Sequence, residues 1–141
     1  MLLTDKIGVI FGVANKRSIA WACAQACAAQ GAKLAFTYQA DRLKENVEDL
    51  AATLDGSMVV QCDVSDQATV DAAFEAIGKK YGKIDFIVHS IAFAPKEALE
   101  GEYVATTREA FRTALEISAF SLSQIALAAA PLMTDGGSIV T

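Results

Sequence analysis

Between an apolar run and an alanine-rich one, the chain reads Gly12-Val13-Ala14-Asn15-Lys16-Arg17-Ser18-Ile19-Ala20. These residue types are suited to holding an anion. Gly12 lacks a Cβ, so the backbone can turn sharply there and come close to a bound group. The start of a helix leaves N–H groups unpaired and carries the positive end of the helix dipole, which together stabilise a phosphate. Ser18 suits the N-cap, where its hydroxyl satisfies one of those N–H groups or reaches a phosphate oxygen itself. The pattern departs from G-x-G-x-x-G, because Ser18 and Ala20 stand where later glycines belong. Taken alone, the segment fits an ordinary strand-to-helix turn as well as a cradle for a nucleotide diphosphate.

Positioning such a cradle takes a strand before it and a helix after it, and the chain alternates the two throughout. Residues 6–11 form a mostly apolar run that reads as an interior strand. Residues 18–30 read as a helix stopped by Gly31 at C′. Strand 32–38 follows, then an amphipathic helix over 41–54 with Leu43, Val47, Leu50 and Leu54 on one face. Asp55-Gly56 turns the chain into strand 58–62. Ser65 caps a third helix, which Gly78 or Gly82 ends. Strand 84–89 leads into a loop over 90–106 with Pro95 and a short helical turn near 96–99. Thr107 caps a long helix to about Met133, bent or ended near Pro131, and Gly136-Gly137 precedes strand 138–141. This alternation predicts a doubly wound α/β domain of Rossmann-like type, spanning 1–141, with a parallel sheet of order 3-2-1-4-5.

In such a sheet ligands gather outside the carboxyl ends of the strands, where the order reverses. Those ends carry Gly12, Gln39, Asp63 and Ser90-Ile91-Ala92. Each has a plainer reading: Gln39 as a solvated loop residue, Asp63 as a turn cap, Ser90 as a partner of its own loop. Their shared edge points to a dinucleotide. The carboxylate that usually meets an NAD ribose is absent after the second strand, where Gln39 offers an uncharged donor and acceptor instead. Arg42 and Lys44 just beyond leave room for a phosphorylated ribose, so NADH is favoured over NADPH without excluding it.

The totals agree with one packed domain. The chain has 141 residues, 53% hydrophobic and 21% charged, enough for a core and too apolar for a disordered segment. A net charge of −5 argues against a nucleic-acid surface. No unbroken apolar run reaches the roughly 18 residues of a membrane span; the longest, 117–133, is interrupted by Ser118, Ser121, Ser123 and Gln124. The N-terminus lacks the order of a signal peptide, and a cytosolic protein is the simplest reading. Cys23, Cys27 and Cys62 make no metal or disulfide set and read as buried free thiols. His89, the only histidine, reads as a structural imidazole bonded to neighbouring backbone, since no carboxylate or nucleophile accompanies it.

Four segments, residues 12–20, 35–39, 61–64 and 88–94, together resemble the enoyl-(acyl-carrier-protein) reductases. These are divergent members of the short-chain dehydrogenase/reductase family found in bacteria and plastids. The resemblance runs from about Lys6 to Thr141. It implies that Gly12 and Ala14 lie against NADH, with Ser18 and Ile19 on the pyrophosphate. Gln39 then sits by the adenosine, Asp63 meets the adenine amino group, Val64 offers backbone groups, and Ile91 touches a ribose beside Ser90. Ala94 lines the acyl entrance beside Phe93. Ala92 stands where relatives commonly carry glycine, and Ser118 where ordinary family members carry asparagine. The implied reaction is reduction of the 2,3 double bond of an enoyl thioester on acyl carrier protein, in fatty acid synthesis in the bacterial cytoplasm. The implied assembly is a homotetramer sharing the 107–133 helix.

Members of the family stabilise the enolate with a tyrosine whose lysine partner follows as Tyr-x-x-x-Lys, or as Tyr-x6-Lys in the enoyl reductases. Tyr38 is followed at those spacings by Arg42 and Glu45, Tyr81 by Asp85 and Val88, and Tyr103 by Thr107 and Ala110. None fits, so no catalytic residue is assigned. The chain reads as the N-terminal, cofactor-binding portion of such an enzyme, incomplete at its C-terminus and inactive alone. Two alternatives stay open: a non-catalytic dinucleotide-binding module, and another short-chain reductase acting on a ketone or alcohol.

Overall fold

The computed structural model describes all residues, Met1–Thr141. Five parallel strands, β1 (Ile7–Phe11), β2 (Lys33–Tyr38), β3 (Met58–Gln61), β4 (Phe86–His89) and β5 (Ser138–Val140), form one sheet in the expected order β3-β2-β1-β4-β5. β1 is the hinge of that order, pairing with β2 on one side and β4 on the other. Its side chains alternate between two cores, as strand geometry requires. Val9 and Phe11 face a cluster with Phe74, Ile77 and Ile125; Ile10 faces another with Trp21, Phe36 and Val47. Helices α1 (Ile19–Ala29) and α2 (Asp41–Ala51) cover the second cluster, and α3 (Gln67–Tyr81) and α5 (Ser121–Ala129) the first.

Several boundaries differ from the sequence reading for local reasons. α2 stops at Ala51, short of Leu54, and the chain turns through Gly56 at φ +72°. The third helix is capped by Asp66, whose carboxylate accepts from the Ala68 N–H at 3.0 Å, while Ser65 instead donates its hydroxyl to Asp63 at 2.6 Å. Gly82, at φ +77°, ends that helix; Gly78 stays inside it against Leu132. Thr107 caps α4 (Arg108–Leu115) as read, accepting from Ala110 N–H at 3.2 Å.

The long helix is not continuous. A π turn over Glu116–Phe120 joins α4 to α5, and a 3-10 turn over Ala130–Leu132 follows at Pro131. Arg108–Leu132 is long enough to cross a membrane and contains an 18-residue window apolar enough to do so. Ser118, Ser121 and Ser123 punctuate it, so it holds no long unbroken apolar run. Here it packs on the sheet, with Ser121, Ile125 and Ala129 buried. Cys23 and Cys27 are half-buried rather than buried, because Ala20, Trp21 and Ala24 take the face of α1 that meets the sheet.

Candidate functional site

A cleft of about 540 Å³ opens at the carboxyl ends of β1 to β4. Its floor is the turn after β1, where Gly12 adopts φ +102°. A Cβ there would lie 1.9 Å from the Ser90 carbonyl oxygen, so only glycine lets the tips of β1 and β4 close together. Of the residues expected at the site, Gly12, Ala14, Gln39, Asp63, Val64, Ser90, Ile91 and Phe93 line the cleft. Ser18, Ile19 and Ala94 do not.

Ser18 occupies the N-cap position without capping through its side chain. Its oxygen instead accepts from the N–H groups of Ala14 and Asn15, at 3.0 and 3.1 Å. The turn preceding the helix leaves those two donors exposed side by side, and one hydroxyl satisfies both. The N–H groups of Ile19 and Ala20 find no partner in the chain, nor do those of Gly12 and Val13. The Ile19 side chain points away and is exposed.

At the β2–β3 end the cleft is polar. Asp63 accepts the Ser65 N–H at 2.9 Å and hydroxyl at 2.6 Å on one oxygen, and the Gln39 amide at 3.0 Å on the other. Partial burial pushes the Asp63 carboxyl up, but the bonds from Ser65 and then Gln39 outweigh it and hold its pKa below the ordinary value. Asp63 is therefore both a turn cap and a fixed charge at the rim. Beside it the Val64 N–H and C=O are unpaired. Arg42 also lines this end and makes no ion pair within the chain. Cys62 lies beneath; burial and then the Asp63 charge raise its thiol to about 12, which makes it inert.

The β4 end is apolar, with Ile91, Ala92, half-exposed Phe93 and Ile117. Ile117 was not foreseen; it arrives from the π turn, and helical periodicity gives no sign of it. His89, behind this end, is buried between the Ser121 and Thr141 hydroxyls at 2.8 and 2.9 Å, not bonded to backbone as expected. Ser121 donates to the Ile117 carbonyl at 2.7 Å, so it accepts from His89 Nε2–H, and Nδ1 accepts from Thr141. Burial lowers the His89 pKa and keeps the ring neutral. None of the three tyrosines lines the cleft. The Tyr81 hydroxyl donates to the Gly56 carbonyl at 2.7 Å, and burial raises it to about 12.

A second hollow of about 550 Å³ lies between α1 and the β4–β5 edge, lined by Cys23, Cys27, Phe86 and Gly137. Its Lys6 and Asp85 are paired with each other at 3.0 Å, and it lies off the strand tips. The tip cleft alone combines free N–H donors, a fixed carboxylate and an apolar end.

Residues 12–141 match the family described as Enoyl-(Acyl carrier protein) reductase. The chain belongs to that family. It is 51% identical over 140 residues to an NADH enoyl-acyl-carrier-protein reductase of Rhizobium meliloti, covering 99% of this chain and 52% of that protein. The Anaplasma phagocytophilum enoyl reductase crystallised with NAD superposes with TM-score 0.94 at 47% identity, over 99% of this chain and 53% of that one. The Bacillus cereus enzyme, crystallised with NADP+ and an indole naphthyridinone, gives TM-score 0.95 at 48% identity, over 98% and 55%. The chain thus spans about half the length of the curated relatives it matches. The expected Rossmann-like fold holds throughout.

Proposed function

We propose that the protein reduces the 2,3 double bond of an enoyl thioester carried on acyl carrier protein, using NADH, and that residues 1–141 form its coenzyme-binding half. The observation that carries this reading is the cleft itself. Where the strand order reverses, N–H groups of Gly12, Val13, Ile19 and Ala20 without a partner in the chain flank the turn from β1 into α1, which suits a diphosphate. The Ser18 hydroxyl, its oxygen spent on the turn, keeps its hydrogen to donate.

The polar end then takes the adenosine: Asp63 and the free Val64 backbone groups suit an adenine edge, and Gln39 suits a ribose. Gly12 and Ala14 let the backbone lie against the coenzyme. Ser90 and Ile91 flank the other ribose, with Phe93 and Ala94 toward the acyl chain. When bound, NADH supplies the hydride. The residues here bind and orient it, and none is placed to donate a proton, so residues 1–141 alone are expected to bind coenzyme without turnover. Gln39 offers an uncharged contact to an unphosphorylated ribose, which favours NADH, and the unpaired Arg42 beside it leaves NADPH as the weaker coenzyme. The exposed apolar side chains Phe111, Leu115 and Phe120 on α4 and the π turn suit packing against a second copy within a homotetramer. The reading places the enzyme in the bacterial cytoplasm, away from membrane and nucleic acid.

The test is calorimetric titration of the native gene product with NADH, together with coenzyme-dependent reduction of a short enoyl thioester. Asp63→Ala is expected to weaken NADH binding by about 1–3 kcal/mol, the worth of a hydrogen bond to a charged group. No NADH binding by the wild-type protein would refute the proposal.

A further inference from the structure

The π turn between α4 and α5 does more than bend a helix. A π turn inserts one residue, so side chains on either side are presented about 100° away from where a continuous helix would place them. Here it diverts the Ser121 N–H to the Glu116 carbonyl and delivers Ser118 against the loop after β4. The Ser118 hydroxyl accepts the Phe93 N–H at 3.0 Å and donates to the Phe93 carbonyl at 3.2 Å. One hydroxyl therefore grips both polar backbone atoms of one loop residue, and no strand or helix holds that residue otherwise. Phe93 is half-exposed and walls the apolar end of the cleft beside Ile117, which the same π turn presents.

We propose that Ser118 is a positioning residue: by clasping the Phe93 backbone it fixes the apolar wall against which the acyl chain of the substrate packs. The inference rests on the reading that this cleft serves an enoyl reductase. Its geometry follows from the row of strand tips. A dinucleotide with its adenosine at the β2–β3 end extends toward β4, so the apolar end beyond is where a second, fatty ligand meets it. The clasp is local to that end. The coenzyme contacts at Gly12, Gln39 and Asp63 lie on other loops, and those at Ser90 and Ile91 precede the clasp next to β4, where the Ser90 N–H is held by the Phe11 carbonyl rather than by Ser118.

Ser118→Ala removes the clasp, and Ser118→Thr keeps a hydroxyl at the same carbon. In the native gene product, hydrogen exchange at the Phe93 amide is expected to speed up at least ~10-fold in Ser118→Ala, and to return toward the wild-type rate in Ser118→Thr. KM for the enoyl thioester is expected to rise ~5- to 10-fold in Ser118→Ala, as for loss of one to two neutral hydrogen bonds, and to recover in Ser118→Thr. NADH affinity is expected to change less than about twofold. Unchanged exchange at Phe93, or an equal loss of NADH affinity and thioester KM, would overturn the positioning role. A wild-type protein that binds no NADH would instead overturn the functional reading and the substrate-side role with it, while exchange at Phe93 still scores the clasp separately.

Discussion

Replacing Gly12 by alanine would put a methyl group where the Ser90 carbonyl oxygen lies. Two costs add. The first is conformational: at φ +102° an L side chain meets its own carbonyl, a penalty of roughly 1–2 kcal/mol. The second is steric. The new Cβ would sit 1.9 Å from the Ser90 oxygen and 2.7 Å from its carbon, against ordinary C···O contacts of about 3.3–3.6 Å. Backbone cannot rotate away as a flexible side chain can, so the tips of β1 and β4 must separate by more than ~1 Å, comparable with an overpacking cost of about 1–3 kcal/mol. Gly82 supplies the control. It has φ +77° and nothing within 4 Å of a built Cβ, so Gly82→Ala bears the first cost alone. Urea unfolding should therefore show Gly12→Ala losing about 2–5 kcal/mol and Gly82→Ala about 1–2. Titration with NADH should show affinity falling at least ~10-fold for Gly12→Ala only, because the diphosphate donors flank that turn. Equal destabilisation by the two variants, with NADH binding intact in both, would refute both the close approach and its role.

Three further outcomes are expected. His89 has its pKa lowered from 6.5 by burial, so the unfolded chain binds the proton first. Stability is full above pH 6.5 and is lost as pH falls from there toward the lowered folded value. Asp63 and Asp85, lowered from 3.8, act only at more acid pH. Melting temperatures across pH should lose the upper limb in His89→Gln, and an identical profile would contradict the buried neutral ring. Asp85 accepts from the Ile7 N–H at 2.9 Å and from Lys6 and Lys83 at 3.0 and 3.3 Å. Asp85→Ala should lower the unfolding free energy by roughly 1–3 kcal/mol, whereas a change below about 0.5 kcal/mol would show that staple to be idle. A Cβ on Gly8 would fall 2.2 Å from the Phe86 ring on the adjacent strand. Gly8→Ala should therefore destabilise by ~1–3 kcal/mol and be partly rescued by Phe86→Leu; absence of rescue would locate the strain elsewhere.

Much of the molecule was legible in the residues themselves. Apolar runs such as Ile7–Phe11, closed by Gly12, and alanine-rich or amphipathic stretches closed by Gly31 or Gly82, state strand and helix through local periodicity and backbone preference. Right-handed crossovers then leave few sheet orders. The strand tips follow from that order, which is why the residue pattern alone puts Gly12, Gln39, Asp63 and Ser90 on one rim. Their types and segments also carried the family resemblance.

What the chain could not announce was which of several competent partners each polar group would choose. Ser18, Ser65 and His89 each had a local bond available. Each took another, because Ala14 and Asn15, Asp63, and the hydroxyls of Ser121 and Thr141 were brought within reach by the turn or the packing. The π turn is the clearest case. Residues 116–120 read as continuous helix, whereas in the fold they form a π turn that meets the loop after β4 through the clasp of Ser118 on Phe93, and Ser121 just after it meets β4 at His89. Local composition sets the elements, whereas hydrogen-bond pairing among near-equal alternatives is settled by which atoms tertiary packing leaves without water.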